Sequence, residues 1–491
     1  MMSDHARSRP KPIYRTRNLV LAAIALFVGW LVFEVVFALT ATPGDGAVAR
    51  GQFLELLGDA APADQNDDDP YAGDLILQIA VLHGRAAFAL EQNRESVYAS
   101  NLFVMAEPGT EAFELGRRFL DRWIQLGYDL RLEQLAATRN LRFRAALIQD
   151  QPLLVSVILD PTHGISRRIA RFESRRAEIA AASGDWDTFA THLNNSTVLV
   201  DFSSRQGSLI ARFNAIGIEI LTLETIRTVA LDRDMPAEVL STLADVLVRV
   251  ESMPDIALAM RGEKIMILES IDRAHTGAPG ESGRYLPAAY RGGAPSLENL
   301  AGLVYPGRRH TEDDVERYFD NMDSLLALEP SKALAVLEGT SQDETIGVQH
   351  PDLIAQQLRA PVLENAFGYL VESILSELKH LRVRAGVRAL LAVESFIAEN
   401  GRPPDSLDEL IASAGRDALI DPLTGEPFAY AAGAAVADDP HGRPFVLYVG
   451  SEVTLEDLFD FYAAPADDTT ANLGRRSTAD VDFTTPESSL R

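Results

Sequence analysis

The sequence predicts a mainly α-helical protein with one membrane-spanning helix near its N-terminus. Three observations lead there. An unbroken apolar run occupies Leu19–Leu39, apolar residues then recur every three or four positions along most of the chain, and one stretch near the C-terminus switches to short strand-like segments. The fold class expected in full is an N-terminal transmembrane helix, a multi-helix bundle or irregular α-solenoid body, and a small α+β C-terminal module with a β-hairpin.

Residues 1–17 form a basic tail, in which Arg7, Arg9, Lys11, Arg15 and Arg17 stand against one acid, Asp4. The anchor is placed at 18–40. Its core reads LVLAAIALFVGWLVFEVVFAL, and at about 1.5 Å per residue it spans roughly 31 Å, the thickness of a bilayer's hydrocarbon core. The next base is Arg50. The positive-inside rule therefore predicts a single-pass inner-membrane protein with a cytoplasmic N-terminus and a periplasmic or extracytoplasmic body. A cleaved signal peptide is the alternative, but the run is long for one and Ala38–Ala41 gives a poor cleavage site. Glu34 is the one ionisable residue in the run and so a candidate intramembrane acid. It is read as a carboxylate near the outer interface that reaches water or is protonated. It also follows Gly29 by five residues, the spacing seen in type IV prepilins, although in those proteins the apolar run comes after the glycine.

The whole chain carries −26, and once the tail is set aside 40 bases face 70 acids. A body that acidic repels DNA, RNA and anionic headgroups, which argues against a nucleic-acid partner. There is no cysteine, so disulfides, thiolate metal sites and cysteine nucleophiles are excluded. The nine histidines are scattered without a ligand-pair spacing, so neither a metal nor a cofactor is expected.

Residues 41–71 read as a linker enclosing a short amphipathic stretch. A helical domain follows at 72–274. Ile76, Ile79 and Leu82 begin one helix and Phe113, Leu120 and Trp123 mark another. Gly184 ends a helix and Asp185 caps the next. On Leu209–Leu231 the stripe Leu209, Phe213, Ile216, Ile220 and Leu223 runs on to Arg227. On Asp255–Ala274 the stripe Ile256, Met260, Ile267 and Ile271 encloses Glu263. A charge on an apolar face needs a partner, so Glu263 and Arg227 are read as a buried ion pair. Residues 275–295, rich in Gly, Pro and Ala, form a loop able to fold over a groove. Helices are expected within 296–360, at Ser296–Leu303, Asp313–Ala327 and Ser331–Leu337.

The C-terminal module is placed at 361–462. A long helix, Pro361–Glu399, carries the stripe Phe367, Val371, Ile374, Leu378, Leu381 and Ala385. Asn400-Gly401 ends it, and Asp405 or Ser406 caps the short helix after it. Asp421, Pro422, Gly425 and Pro427 build a structural turn into a hairpin, whose second strand is Arg443–Gly450 and whose connection is Asp439-Pro440-His441-Gly442. Residues 463–491 are polar and expected to be disordered. The order of a long helix, NGRPPDSLDEL, DPLTGEPFAY and a strand ending FVLYVGS resembles the globular part of type II secretion major pseudopilins. The same module ends many membrane-anchored bacterial proteins. The resemblance covers about 90 residues, Phe367 to Glu452, and implies a helix-plus-hairpin fold there.

No nucleophile elbow, P-loop or dinucleotide fingerprint is present. The function expected is that of a membrane-tethered, non-enzymatic interaction or scaffold component of the bacterial envelope. Its partners would be the lipid bilayer, through the anchor, and an unknown envelope protein. Two alternatives stay open: a pseudopilin-like secretion subunit, and an envelope hydrolase whose site is assembled only in space.

Overall fold

The computed structural model describes residues 12–60, 69–92, 99–141, 162–232, 235–290, 294–339, 348–355, 368–437 and 444–450. Its elements in chain order are α1 (Pro12–Thr40), α2 (Ala47–Asp59), α3 (Ala72–Gln92), α4 (Ala99–Met105), α5 (Glu111–Gln125), α6 (Tyr128–Ala137), α7 (Thr162–Ala182), α8 (Trp186–Ser204), α9 (Leu209–Asp232), α10 (Ala237–Glu251) and α11 (Ile256–Ala274). There follow α12 (Pro287–Tyr290), α13 (Arg308–Leu326), α14 (Pro330–Leu337), α15 (Pro351–Ala355), α16 (Gly368–Asn400), α17 (Ile411–Ala414), β1 (Ala429–Ala432) and β2 (Phe445–Tyr448). The protein is therefore mainly α, with a two-stranded antiparallel sheet at the C-terminal end. The hairpin's connection, the residue Phe367 and the tail at 463–491 lie outside the described residues.

The chain divides into two compact units. The larger comprises Val48–Met266, Tyr318–Ala355 and Phe367–Arg491. Among the described residues two large apolar clusters stand out, with smaller ones around α2. The first is aromatic and joins α3 to α9: Phe103, Phe119, Trp123, Tyr128 and Phe172 are buried, with Trp123 and Tyr128 stacked at 3.9 Å. Burying each such side chain contributes about 1.5–3 kcal/mol, which fixes these short helices around one another. The second cluster gathers Phe189, Leu193, Leu223, Ile226, Leu243 and Leu247 against Val387, Leu390, Leu391 and the hairpin's Phe445 and Leu447. The stripe expected on α16 is buried at Val371, Ile374, Leu378 and Ala385.

Of the described residues, Ala72–Leu90 in α3 is long and apolar enough to cross a bilayer on composition alone. Its Leu75, Ile76, Ile79 and Ala86 belong to the aromatic cluster, so it serves as a core helix. The turn at Gly184 is as expected. Its φ is +75°, and the Asp185 side chain accepts a hydrogen bond from Thr188 N at 3.1 Å, capping α8. The linker expectation for 41–71 needs correcting. Residues 47–59 form α2, which buries Phe53, Leu56 and Leu57. The reason is a close backbone approach, since a Cβ on Gly262 would lie 1.7 Å from the Gly207 carbonyl oxygen and 3.2 Å from Phe53. Two glycines thus open the slot that Phe53 fills.

The smaller unit comprises Met1–Ala47, Ile267–Arg317 and Gln356–Ala366. In it, the segment expected as a loop at 275–295 carries regular structure: a bridge pairs His275 with Tyr285 and Pro287–Tyr290 is helical. The helix expected at Ser296–Leu303 is a 3₁₀ helix at Leu297–Leu303. Arg308 is buried and ties the unit together. It bonds to Asp272 at 2.6 Å, to Glu312 at 2.8 Å and to the Gly277 carbonyl.

Candidate functional site

Each acid singled out from sequence has a definite place. Glu34 is 2% exposed, and its Oε2 pairs with Arg284, whose guanidinium lies 4.8 Å above the Phe37 ring. Its other oxygen, Oε1, is buried with no hydrogen-bond partner in the structure. Glu34 is therefore held by a cation of its own unit, an arrangement that only the long-range fold could reveal.

Glu263 and Arg227 are both buried, but the structure gives each a different partner. Arg227 bonds to Glu224, three residues earlier on α9, at 2.7 Å. Glu263 instead accepts from Leu209 N at 2.9 Å and from the Tyr369 hydroxyl at 2.8 Å. The pairing expected from sequence is corrected on this point. Two apolar stripes identified which charges turn inward, but a neutral helix N-terminus and a phenol satisfy Glu263 in place of a cation. Burial pushes the Glu263 carboxyl above its ordinary range.

The turn residues act structurally. Asp421 accepts from Leu423 N at 3.0 Å and from the Thr424 hydroxyl at 3.2 Å, and its backbone closes the turn with Gly425 at 2.8 Å. Gly425 has φ +76°, and Ile420 bridges Pro427 beyond Pro422. Sequence reading did not foresee that Asp421 is also the buried ion-pair partner of Arg382 on α16, at 3.1 Å through both carboxylate oxygens. This pair fastens the turn to the long helix.

Two further polar centres were not singled out beforehand. On α7, Glu173 lies on the same face as Ile169 and Ala177 and is fully buried. Four donors converge on it: the Tyr128 hydroxyl at 3.0 Å, Arg176 at 3.1 Å, His192 Nδ1 at 2.8 Å and Asn195 Nδ2 at 2.7 Å. Burial pushes its carboxyl up, but His192, Arg176 and Asn195 outweigh that and hold it below the ordinary range. Burial, followed by the Glu173 charge, pushes the Tyr128 phenol well up. The ionised carboxylate can only accept, so His192 donates to it through Nδ1. His192, Arg176, Asn195 and Asp129 line an open cleft of about 750 Å³. A histidine so oriented can exchange a proton with a bound group. The stripe test that flagged Glu263 also finds Glu173, four residues after Ile169.

The second centre joins α9 to α16. Arg212 forms a two-oxygen pair with Glu377, its Nε at 2.7 Å, and Glu219 receives Arg384 at 2.7 Å and His380 at 2.8 Å. All five side chains are buried. Both pairs span 165 positions, so the helices run parallel, with arginine on α9 in one pair and on α16 in the other. Beside this seam, α10 and α16 form a smaller groove of about 440 Å³, lined by Leu240, Leu247, Val248, Leu391 and Ala392.

Among the described residues no group of three or more His, Cys, Asp or Glu is placed to hold a metal ion. No family model, curated protein or solved structure matches the chain.

Proposed function

We propose that this protein is a membrane-tethered scaffold of the bacterial envelope, with its acidic helical body outside the cytoplasm and an envelope protein as its partner. The observation that carries this reading is the outer surface of α1. Leu26, Phe27, Val28, Trp30, Leu31, Val32 and Phe33 are all exposed, each by 45% or more. An apolar helix bare on every side has a stable environment in lipid. The internally satisfied buried charges of the larger unit support a structural body, and the groove between α10 and α16 offers an apolar surface with Val248 63% exposed. The helix-plus-hairpin module at the C-terminus fits the pseudopilin resemblance and serves in this reading as a folding module.

The test is intact mass and N-terminal sequencing of protein extracted from native membranes, with protease protection of the body in sealed cells. A start at Met1 or Met2 and a body cleaved only from outside support the tether. A start at Trp30 favours filament assembly. A start near Thr42 makes the body a released protein and overturns the tether. One observation favours a second reading as a hydrolase, namely the Glu173–His192 pair at the 750 Å³ cleft. Its test is a hydrolase substrate screen, in which a turnover lost in His192→Gln but kept in a cleft-remote variant would establish it.

A further inference from the structure

Helix α1 emerges from its unit at Glu34. Toward the N-terminus, the described side chains back to Leu26 are exposed on all faces, whereas Glu34 and Ala38, one turn apart, are buried. Their cover comes from Arg284, beside the His275–Tyr285 bridge, and from Asn299 after it. Arg284 pairs with Glu34, and Asn299 Nδ2 donates to the Ala38 carbonyl at 3.0 Å while its Oδ1 accepts from Ala288 N at 3.1 Å. The outer side of this cover carries four large exposed apolar side chains and one exposed acid, Glu298. Leu297 is 56% exposed, Leu303 41%, Val304 81% and Tyr305 41%, with the Tyr305 ring edge-on to Tyr285 at 5.5 Å. On the uncovered side of α1, Phe33, Val36 and Leu39 remain exposed as well.

The depth of the cover follows from helix geometry. If Leu19–Leu39 fills the hydrocarbon core, Glu34 lies five residues, about 8 Å, inside its outer end. Interfacial elements bury their apolar faces about 5–10 Å into the headgroup–acyl boundary, so whatever covers Glu34 and Ala38 reaches the outer part of the hydrocarbon core. A polar cover there would be costly, and this one turns leucine, valine and tyrosine outward, tyrosine being typical of that depth.

We propose that Leu297–Tyr305 is an interfacial lipid-binding element that enters the outer leaflet beside the anchor and fixes the depth at which the anchor's own unit meets the membrane. This rests on the reading of α1 as a transmembrane anchor. The occupant is the lipid itself, bound through apolar burial. The contact is apolar and needs no anionic lipid; because the body is acidic, anionic headgroups should weaken it and added salt should relieve that repulsion.

The absence of native cysteine makes a direct test available. Full-length Val304→Cys and Phe33→Cys proteins, each carrying one environment-sensitive fluorophore, are reconstituted in phosphatidylcholine vesicles with nitroxide lipids labelled at shallow or deep positions. The expected result is quenching of both probes, by roughly half at Val304 and strongest there with the shallow nitroxide. If Phe33 is quenched while Val304 reports water, the anchor stands and this proposal falls. A Val304 probe shielded from both water and nitroxide means that a protein surface covers the segment, which also overturns the proposal. If Phe33 itself escapes quenching, the anchor reading fails and takes the proposal with it.

Discussion

Replacing Glu219 with glutamine removes the one charge that satisfies both His380 and Arg384 on α16. Two independent lines give the size of the effect. Burial alone would raise the Glu219 carboxyl, yet His380 and Arg384 bring it from an ordinary 4.5 down to about 2. A depression of that size is worth about 3 kcal/mol at neutral pH. Stranding a buried cation such as Arg384 costs about 3–5 kcal/mol, in agreement. Urea unfolding of the full chain in detergent, followed by tryptophan fluorescence, should move to a midpoint lower by about 1 M. The pH dependence is the sharper check. A carboxylate depressed in the fold contributes fully above its unfolded value near 4.5, and that contribution is lost as pH falls toward 2. The gap between native and Glu219→Gln proteins should therefore be constant from pH 7 to about 5 and then close. A loss under about 1 kcal/mol, or a gap that keeps its full size at pH 2.5, would refute the view that this network is a net stabiliser.

Glu263 gives the opposite expectation. Its carboxyl is raised by burial, so ionisation works against the fold as pH rises, and Glu263→Gln should cost less than about 1 kcal/mol or stabilise, increasingly so at higher pH in the same urea assay. Asp421→Ala removes two turn hydrogen bonds and leaves Arg382 buried, so the C-terminal module should lose about 3–5 kcal/mol and become cleavable in limited proteolysis under native conditions. Gly425→Ala tests the same turn through its φ of +76° and should cost about 1–2 kcal/mol. Gly262→Ala drives a methyl into the Gly207 carbonyl and should destabilise by about 1–3 kcal/mol or more, read as a lower melting temperature and faster amide exchange in α2.

The helices, the hairpin strands and the Asp421 turn were legible because local rules govern them: periodicity, a cap at Asp185, a positive φ at Gly425. Stripe analysis also found the inward charges at Glu263 and Arg227. It failed on their partners for two reasons: Arg227 takes Glu224, three residues away on its own helix, whereas the partner of Glu263 is set by which helices become neighbours. Tyr369 reaches Glu263 across 106 positions and Glu377 reaches Arg212 across 165, and no local pattern encodes such distances. The short amphipathic stretch within 41–71 is helix α2, but its burial was not legible for a related reason. Thirteen residues with modest amphipathicity are marginal alone, and Phe53 is secured by a slot between glycines that lies far along the chain. Glu34 was noticed for being an acid in an apolar run, while the Arg284 that holds it stood in a segment expected to be a loop.

The alternating polarity of the α9–α16 seam also acts against misalignment. The two pairs are separated by seven residues on each helix, which is also the step by which an apolar heptad face can slide and still look the same. A slide of that length would set Arg212 against Arg384, or Glu219 against Glu377, depending on direction. Leucines and valines along the seam could accept such a shift at small cost, but two like charges brought together in a dry interface could not. The pairs thus discriminate between alignments that hydrophobic packing leaves nearly degenerate, and a chain with two neutral, equally sized substitutes at each pair would be free to settle one heptad out of place.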